Sequence, residues 1–251
     1  MSFPIGIGFW DGSGGWTPNT ISSDWWFDFS NPANYTIVST NVTEATDLTG
    51  NGYTATPFGS GPTIDSNDLN GLDTAHVFAQ TLRLANFESE ITDTSQNFTI
   101  FAVIKNNDQS GLRCVFGMGR TGSTTEIFNP MRWNGNNLDS FIRNSANVGV
   151  FFNPSPSVST TQGDYYIIST SFDGSDWTLR VNGVEEAVVA GTPSGAVTFT
   201  DASIGGRRIN STLTEQTNVN IGEIFFKLDT LSPTDISEAE TYLSDKWGIS
   251  I

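Results

Sequence analysis

The sequence predicts an all-β antiparallel sandwich with a short C-terminal α-helix and an N-terminal arm. Three observations predict it. From Phe98 onward, short aromatic and β-branched runs alternate with turn residues. After Ser232 every local signal marks a helix. The first residues are rich in glycine and tryptophan and follow neither the strand nor the helix period. With 37% hydrophobic residues, the 251-residue chain can fill the core of one large domain.

Residues 1–24 form the arm, with five glycines, two prolines and two tryptophans. Phe3, Ile5, Ile7, Phe9, Trp10 and Trp16 are too apolar for a solvated linker. They are expected to dock on the chain's own domain or on a neighbouring subunit. The remaining 25–251 read as one sandwich domain with no internal repeat. Between Trp25 and Gln80, Thr, Asn, Asp and Gly interrupt the apolar runs, and only 35–38 and 76–79 read as strands.

Strands are expected at 98–105, 112–118, near Glu126 to Trp133, at 139–143, 148–152, 165–172, 177–181, 187–190 and 223–228. Within 171–189, Asp173-Gly174 and Asn182-Gly183 are expected to supply the positive-φ residues of two tight turns, making a three-stranded meander. The helix has Ser232 as N-cap, Pro233 at its first position and Asp235 in its first turn. Ile236, Ala239, Leu243 and Trp247 make one apolar face, and Gly248 stops the helix.

The charge narrows the function. Eleven Lys and Arg against 27 Asp and Glu leave a net charge of −16, which repels nucleic acid and anionic membranes. No window is apolar enough for membrane insertion, and the N-terminus carries no signal-peptide pattern, so synthesis in a cytoplasm is expected. Cys114, the only cysteine, reads as a small core residue. His76, the only histidine, alternates with apolar residues and reads as structural. One His and one Cys cannot make a usual zinc site.

Glu88 and Glu90 would share a face if they lay on a strand, the arrangement a pair of catalytic carboxylates needs. Their segment lacks the apolar residues that hold a strand in a sheet, so a loop and no enzyme activity are expected. Asp47, Asn51, Asp65, Asp68 and Asp73 offer oxygen ligands of the kind calcium takes, without EF-hand spacing, and turn formation is their commoner use. No cofactor is expected beyond that calcium alternative. For ligand binding the candidates are Arg132, Trp133, Asn134 and Asn136, a forked donor, an aromatic ring and two amides beside a turn. The competing reading is an Asn-Gly hairpin whose Trp packs inward. Arg207-Arg208 is a further exposed-looking pair that carboxylates would satisfy.

Three segments carry a family resemblance: 47–56 (DLTGNGYTAT), 172–184 (FDGSDWTLRVNGV) and 222–249, where a strand, a Leu-Ser-Pro turn and a helix end on Lys-Trp-Gly. Together they resemble the concanavalin A-like or laminin-G-like jelly-roll domains of lectins, glucanases and tailed-phage virion proteins, over roughly Trp25 to Ile251. The resemblance implies two face-to-face antiparallel sheets, a face that often binds sugar and a rim that sometimes holds calcium. Two functions are expected from it. The first is a non-enzymatic virion structural protein of a tailed phage, in capsid decoration or tail attachment, assembling as a homo-oligomer with other virion proteins. The second is a carbohydrate-binding module that recognises a host-surface glycan, as a tail-fibre adhesin or bacterial lectin.

Overall fold

The computed structural model describes residues 15–108, 110–209 and 212–251. Of the expected docking residues, Phe3, Ile5, Ile7, Phe9 and Trp10 lie outside the described residues and Trp16 lies within them. The first strands are β1 (Trp25–Asp28), β2 (Tyr35–Val38), β3 (Asn41–Thr46), β4 (Thr54–Pro57), β5 (Thr63–Leu69), β6 (Leu72–Phe78) and β7 (Leu82–Leu84). Next come β8 (Phe98–Asn106), β9 (Leu112–Gly119), β10 (Ile127–Asn134), β11 (Asn137–Arg143) and β12 (Gly149–Phe152). The meander is β13 (Tyr165–Phe172), β14 (Asp176–Val181) and β15 (Val184–Ala190). After β16 (Asp201–Ile204), a small hairpin of β17 (Arg207–Ile209) and β18 (Thr212–Thr214) precedes β19 (Asn218–Lys227) and the helix α1 (Pro233–Trp247).

All strand pairs are antiparallel and fall into two layers. The first sheet runs β5-β6-β19-β8-β13-β14-β15, with β1 taking over from β6 along one edge of β19. The second runs β2-β3-β4-β7-β16-β9-β10-β11-β12. Asn41 of β3 pairs with Thr63 of β5 where the layers meet.

Side chains alternate across a strand, so each sheet gives one face to the shared core. Phe98, Ile100 and Ala102 of β8 meet Phe116, Phe128 and Met131 of the opposite sheet there. Trp25 stacks on Phe226 at 5.5 Å, and Phe98 meets Phe128 edge-on at 5.1 Å. The other face of the first sheet presents Phe101, Val103, Ile167 and Phe225, which α1 covers with Ala239, Leu243 and Trp247. Both faces of β8 are therefore buried, which explains its unbroken apolar run.

The helix begins and ends at its sequence signals. Ser232 Oγ accepts from the Asp235 amide at 3.2 Å, and Gly248 adopts φ 68°. Trp16 lies against the helix, its ring 5.5 Å from Tyr242 and 6.1 Å from Phe225. In the meander, Asn182 (φ 47°) and Gly183 (φ 76°) form the expected two-residue turn. The β13–β14 turn corrects the expectation: only Gly174 has positive φ, at 95°, while Asp173 accepts the Ser175 and Asp176 amides at 2.9 and 2.8 Å.

A second correction lies in the first third of the chain. Six strands occupy 25–78 where two were expected. Their inward positions include the small residues Val42, Ala45, Ala55 and Ala75, which the neighbouring aromatic core covers. Apolar contrast along these strands is low because the bulk comes from their partners. No helix among the described residues is long and apolar enough to cross a membrane.

Candidate functional site: the outer face of the second sheet

α1 covers the middle of the first sheet, and the outer face of the second sheet carries the candidate site, part of it beneath the β17–β18 hairpin. On β11, Asp139, Phe141 and Arg143 share that face, while Leu138 and Ile142 point into the core. Pairing register sets Arg132 opposite Asp139, Asn129 opposite Phe141, and Phe151 of β12 also opposite Phe141. On the β7 and β16 side, Arg83 pairs in register with Ser203, and its guanidinium reaches Asp201.

An aromatic platform stands on this face. The Phe141 and Phe151 rings stack at 3.9 Å and 16°, and Phe151 is 55% exposed. Arg143 lies 5.5 Å from the Phe141 ring centre. Its Nε donates to the Thr125 carbonyl at 2.5 Å and its Nη2 to the Thr124 carbonyl. Burial lowers its pKa.

Around the platform run paired charges. Arg132 binds Asp139 through two parallel bonds, Nε to Oδ1 at 2.7 Å and Nη2 to Oδ2 at 2.8 Å. Burial opposes the Arg132 charge, but the Asp139 bonds and charge outweigh it, so its pKa is raised. Arg207 Nη2 donates to Glu215 Oε1 at 2.9 Å, and Asn129 Nδ2 to Glu215 Oε2 at 2.6 Å. Arg208 pairs with Asp201 at 2.9 Å and lies 3.8 Å over the Phe58 ring. Arg207 and Arg208 thus each face a carboxylate, Glu215 and Asp201.

The β17–β18 hairpin lies on this face because two glycines of β9 leave room for it. A Cβ on Gly119 would sit 1.9 Å from the Arg208 carbonyl oxygen, and one on Gly117 would sit 3.1 Å from Arg207 Cβ. The chain leaves the sheet at Gly205, whose amide bonds the Val115 carbonyl at 2.7 Å, and returns at Glu215, whose carbonyl accepts the Cys114 amide at 2.9 Å.

The four candidate ligand residues are not brought together. Arg132 is on the outer face but buried in its ion pair, whereas Trp133 is fully buried on the core side, donating to Thr160 Oγ1 at 3.0 Å. Trp133 therefore follows the competing reading, a hairpin whose Trp packs inward, and not the exposed aromatic face: neighbours in a strand point to opposite faces. Asn134 and Asn136 are exposed at the β10–β11 turn, and Gly135 there adopts φ 66°. Phe141, Phe151, Arg143 and Glu215 were missed by the sequence reading. The one available signal was the double Phe of 148–152, of which Phe152 is buried and Phe151 exposed.

The other candidates serve structure. Cys114 is buried, which pushes its thiol pKa up. His76 Nε2 lies 3.0 Å from Asn218 Oδ1. Glu88 falls in a 3-10 turn, Phe87–Ser89, with Arg83 at 3.5 Å, and Glu90 caps that turn. Asp47 accepts the amides of Trp26 and Thr49, both at 3.0 Å, and Asn51 donates to the Asp24 carbonyl at 2.9 Å. Asp73 accepts the Asn67 amide at 3.0 Å, while Asn220 Nδ2 donates to Asp65 at 2.7 Å and to Asp68 at 3.0 Å. Among the described residues no group of three or more His, Cys, Asp or Glu is placed to hold a metal ion.

No protein-family model matches the chain, and no curated protein does. Solved structures do. Domain 4 of AbnA, an extracellular arabinanase from Geobacillus stearothermophilus, aligns with a TM-score of 0.62 at 17% identity, over 87% of this chain and 98% of that one. The binding domain of botulinum neurotoxin serotype G aligns at 0.61 and 14% identity, over 90% and 54% of the two chains. The K499G mutant of NanB sialidase from Streptococcus pneumoniae aligns at 0.56 and 15% identity over 65% of this chain. The fold is a lectin-like jelly-roll β-sandwich. Against the NanB chain, the alignment spans only about a quarter, 27%, of the sialidase's length.

Proposed function

We propose that this chain is a non-catalytic saccharide-binding module that uses the outer face of the second sheet. The observation that carries the reading is the half-exposed Phe151 ring, held rigid on Phe141 with the Arg143 guanidinium beside it. The C–H face of a sugar ring packs on such an aromatic face, and a neighbouring forked donor fixes its hydroxyls. AbnA domain 4, which the chain matches over nearly its whole length, was solved in complex with arabinotriose. Among the described residues the former catalytic candidates, Glu88 and Glu90, lie in a turn, in keeping with binding alone. A glycan array on the intact protein tests the reading: binding to one or more oligosaccharides, weakened by Phe151→Ala, is expected. Binding unchanged by that substitution sinks it.

The virion setting is the finer reading. Five apolar or aromatic side chains, Phe3, Ile5, Ile7, Phe9 and Trp10, together with a net charge of −16 that keeps many copies soluble before assembly, favour a particle protein of a tailed phage. In that role the module would be made in the host cytoplasm and would contact capsid or tail subunits and further copies of itself. Deleting residues 1–14 is expected to abolish incorporation into particles while circular dichroism and thermal melting stay unchanged. Normal incorporation of the shortened chain removes the virion reading.

A further inference from the structure

We infer that the ligand of this face is an anionic saccharide, whose acidic group is held by Arg143 and Arg207 beside the Phe141–Phe151 platform. The inference rests on the saccharide reading above and names its ligand class.

Charge distribution is the first ground. The chain has eight arginines, and five of them, Arg83, Arg132, Arg143, Arg207 and Arg208, lie on this one face of a protein with net charge −16. Glu88, Asp139, Asp201 and Glu215 pair with four of them, so this face keeps a small positive excess while the rest of the acidic body repels anions.

The second ground is what these guanidinium groups lack. Near the platform stand three of them, Arg132, Arg143 and Arg207, and the carboxylates bonded to them are two, Asp139 and Glu215. Arg143 bonds only backbone carbonyls among the described residues, which satisfy its donors without balancing its charge. Arg207 is only 4% exposed, yet its Nε and Nη1 have no hydrogen-bond partner among the described residues. Donors buried in this way carry a desolvation cost that an acceptor would remove. Burial, followed by the nearby charges of Arg132 and Arg143, also lowers the Arg207 pKa. A carboxylate or sulfate answers both needs, since it supplies lone pairs to a planar fork and cancels the excess charge.

Geometry supplies the third ground. Arg207 belongs to the β17–β18 hairpin, which rests on Gly117 and Gly119 and so brings the guanidinium onto the same face as Arg143 and the platform, with Glu215 as its one carboxylate partner.

The test is an array of neutral, carboxylated and sulfated oligosaccharides at low and high salt, with the intact protein and three variants. The expected result is a bound set dominated by acidic glycans, weakened by salt. Arg143→Gln and Arg207→Lys should each weaken binding about tenfold or more, the loss expected for one hydrogen bond to a charged group. Lys227→Gln, which removes one positive charge from the first sheet, should leave binding unchanged. Comparable binding of neutral glycans overturns the inference and leaves the saccharide reading standing, whereas absence of all glycan binding overturns both. Acidic-glycan binding that survives Arg143→Gln also overturns it. Should Arg207→Lys melt early, Arg143→Gln decides. The carboxylated and sulfated arms tell which acid is preferred.

Discussion

Replacing Glu223 by Gln should cost this fold a large share of its stability. Glu223 is fully buried between the first sheet and α1, and its two oxygens accept four bonds. Trp26 Nε1 and the Tyr242 hydroxyl reach Oε1 at 2.6 and 2.8 Å, while Lys246 Nζ and Trp247 Nε1 reach Oε2 at 2.7 and 3.0 Å. Lys246 also binds Asp28 at 2.8 Å. Burial pushes the Glu223 pKa up, and the Lys246 charge and the bonds from Lys246 and Trp247 oppose that shift. An amide offers one oxygen, so two of the four donors would face an NH2 group, at about 1–3 kcal/mol each. Lys246 would retain Asp28 as its one charged partner, and the total expected loss is about 3–5 kcal/mol, the usual cost of breaking a buried ion pair. A domain has only about 5–15 kcal/mol in all. Urea unfolding followed by tryptophan fluorescence should show a midpoint lowered by roughly 1–2 M with unchanged slope. A midpoint within a few tenths of a molar of the parent would refute the reasoning, because the network would then contribute little.

Two further outcomes follow from the same packing. Gly119→Ala places a Cβ 1.9 Å from a backbone oxygen that cannot yield locally, so the hairpin must shift. A loss of about 1–3 kcal/mol is expected, together with faster limited proteolysis within 205–216; unchanged cleavage and melting would count against the contact. Alkaline pH should also destabilise the fold. Burial pushes Tyr53 up to about 12 and Tyr35, Tyr165 and Tyr242 still higher. Unfolded tyrosines release their protons near pH 10, so above that pH the folded chain binds more protons and its stability falls. The contribution is fully present below about pH 10 and is lost towards pH 12 and beyond, readable as a falling melting temperature across that range. A flat profile would contradict the burial of these phenols.

The helix and the meander were legible because their signals are local: Ser232, Pro233 and Gly248 mark one, and Asn182-Gly183 the other. The strands of residues 25–78 were hidden because Val42, Ala45 and Ala55 are small and the residues that bury them lie far along the chain. The site was only half legible for the same reason. Arg132 was noticed, but its partner on the open face is Asp139, across a turn, rather than Trp133, its neighbour in sequence. Phe141 and Phe151 become a platform only when β11 and β12 pair, and Arg207 and Glu215 join from a hairpin more than fifty residues further on. Sequence order says which side chains exist, and strand pairing decides which ones meet.

The hairpin resting on Gly117 and Gly119 has a consequence for size. It separates Phe58, over which its own Arg208 lies, from the phenylalanine pair. From β9, beneath the hairpin, to β12 at the edge is three strand spacings, or roughly 14 Å. A polymer laid straight across the strands would have to climb the ridge, whereas a short chain or a chain end fits against one side of it. Under the saccharide reading proposed above, the two glycines act as a ruler: by admitting the hairpin, they would set how long a stretch of ligand this face can meet at once.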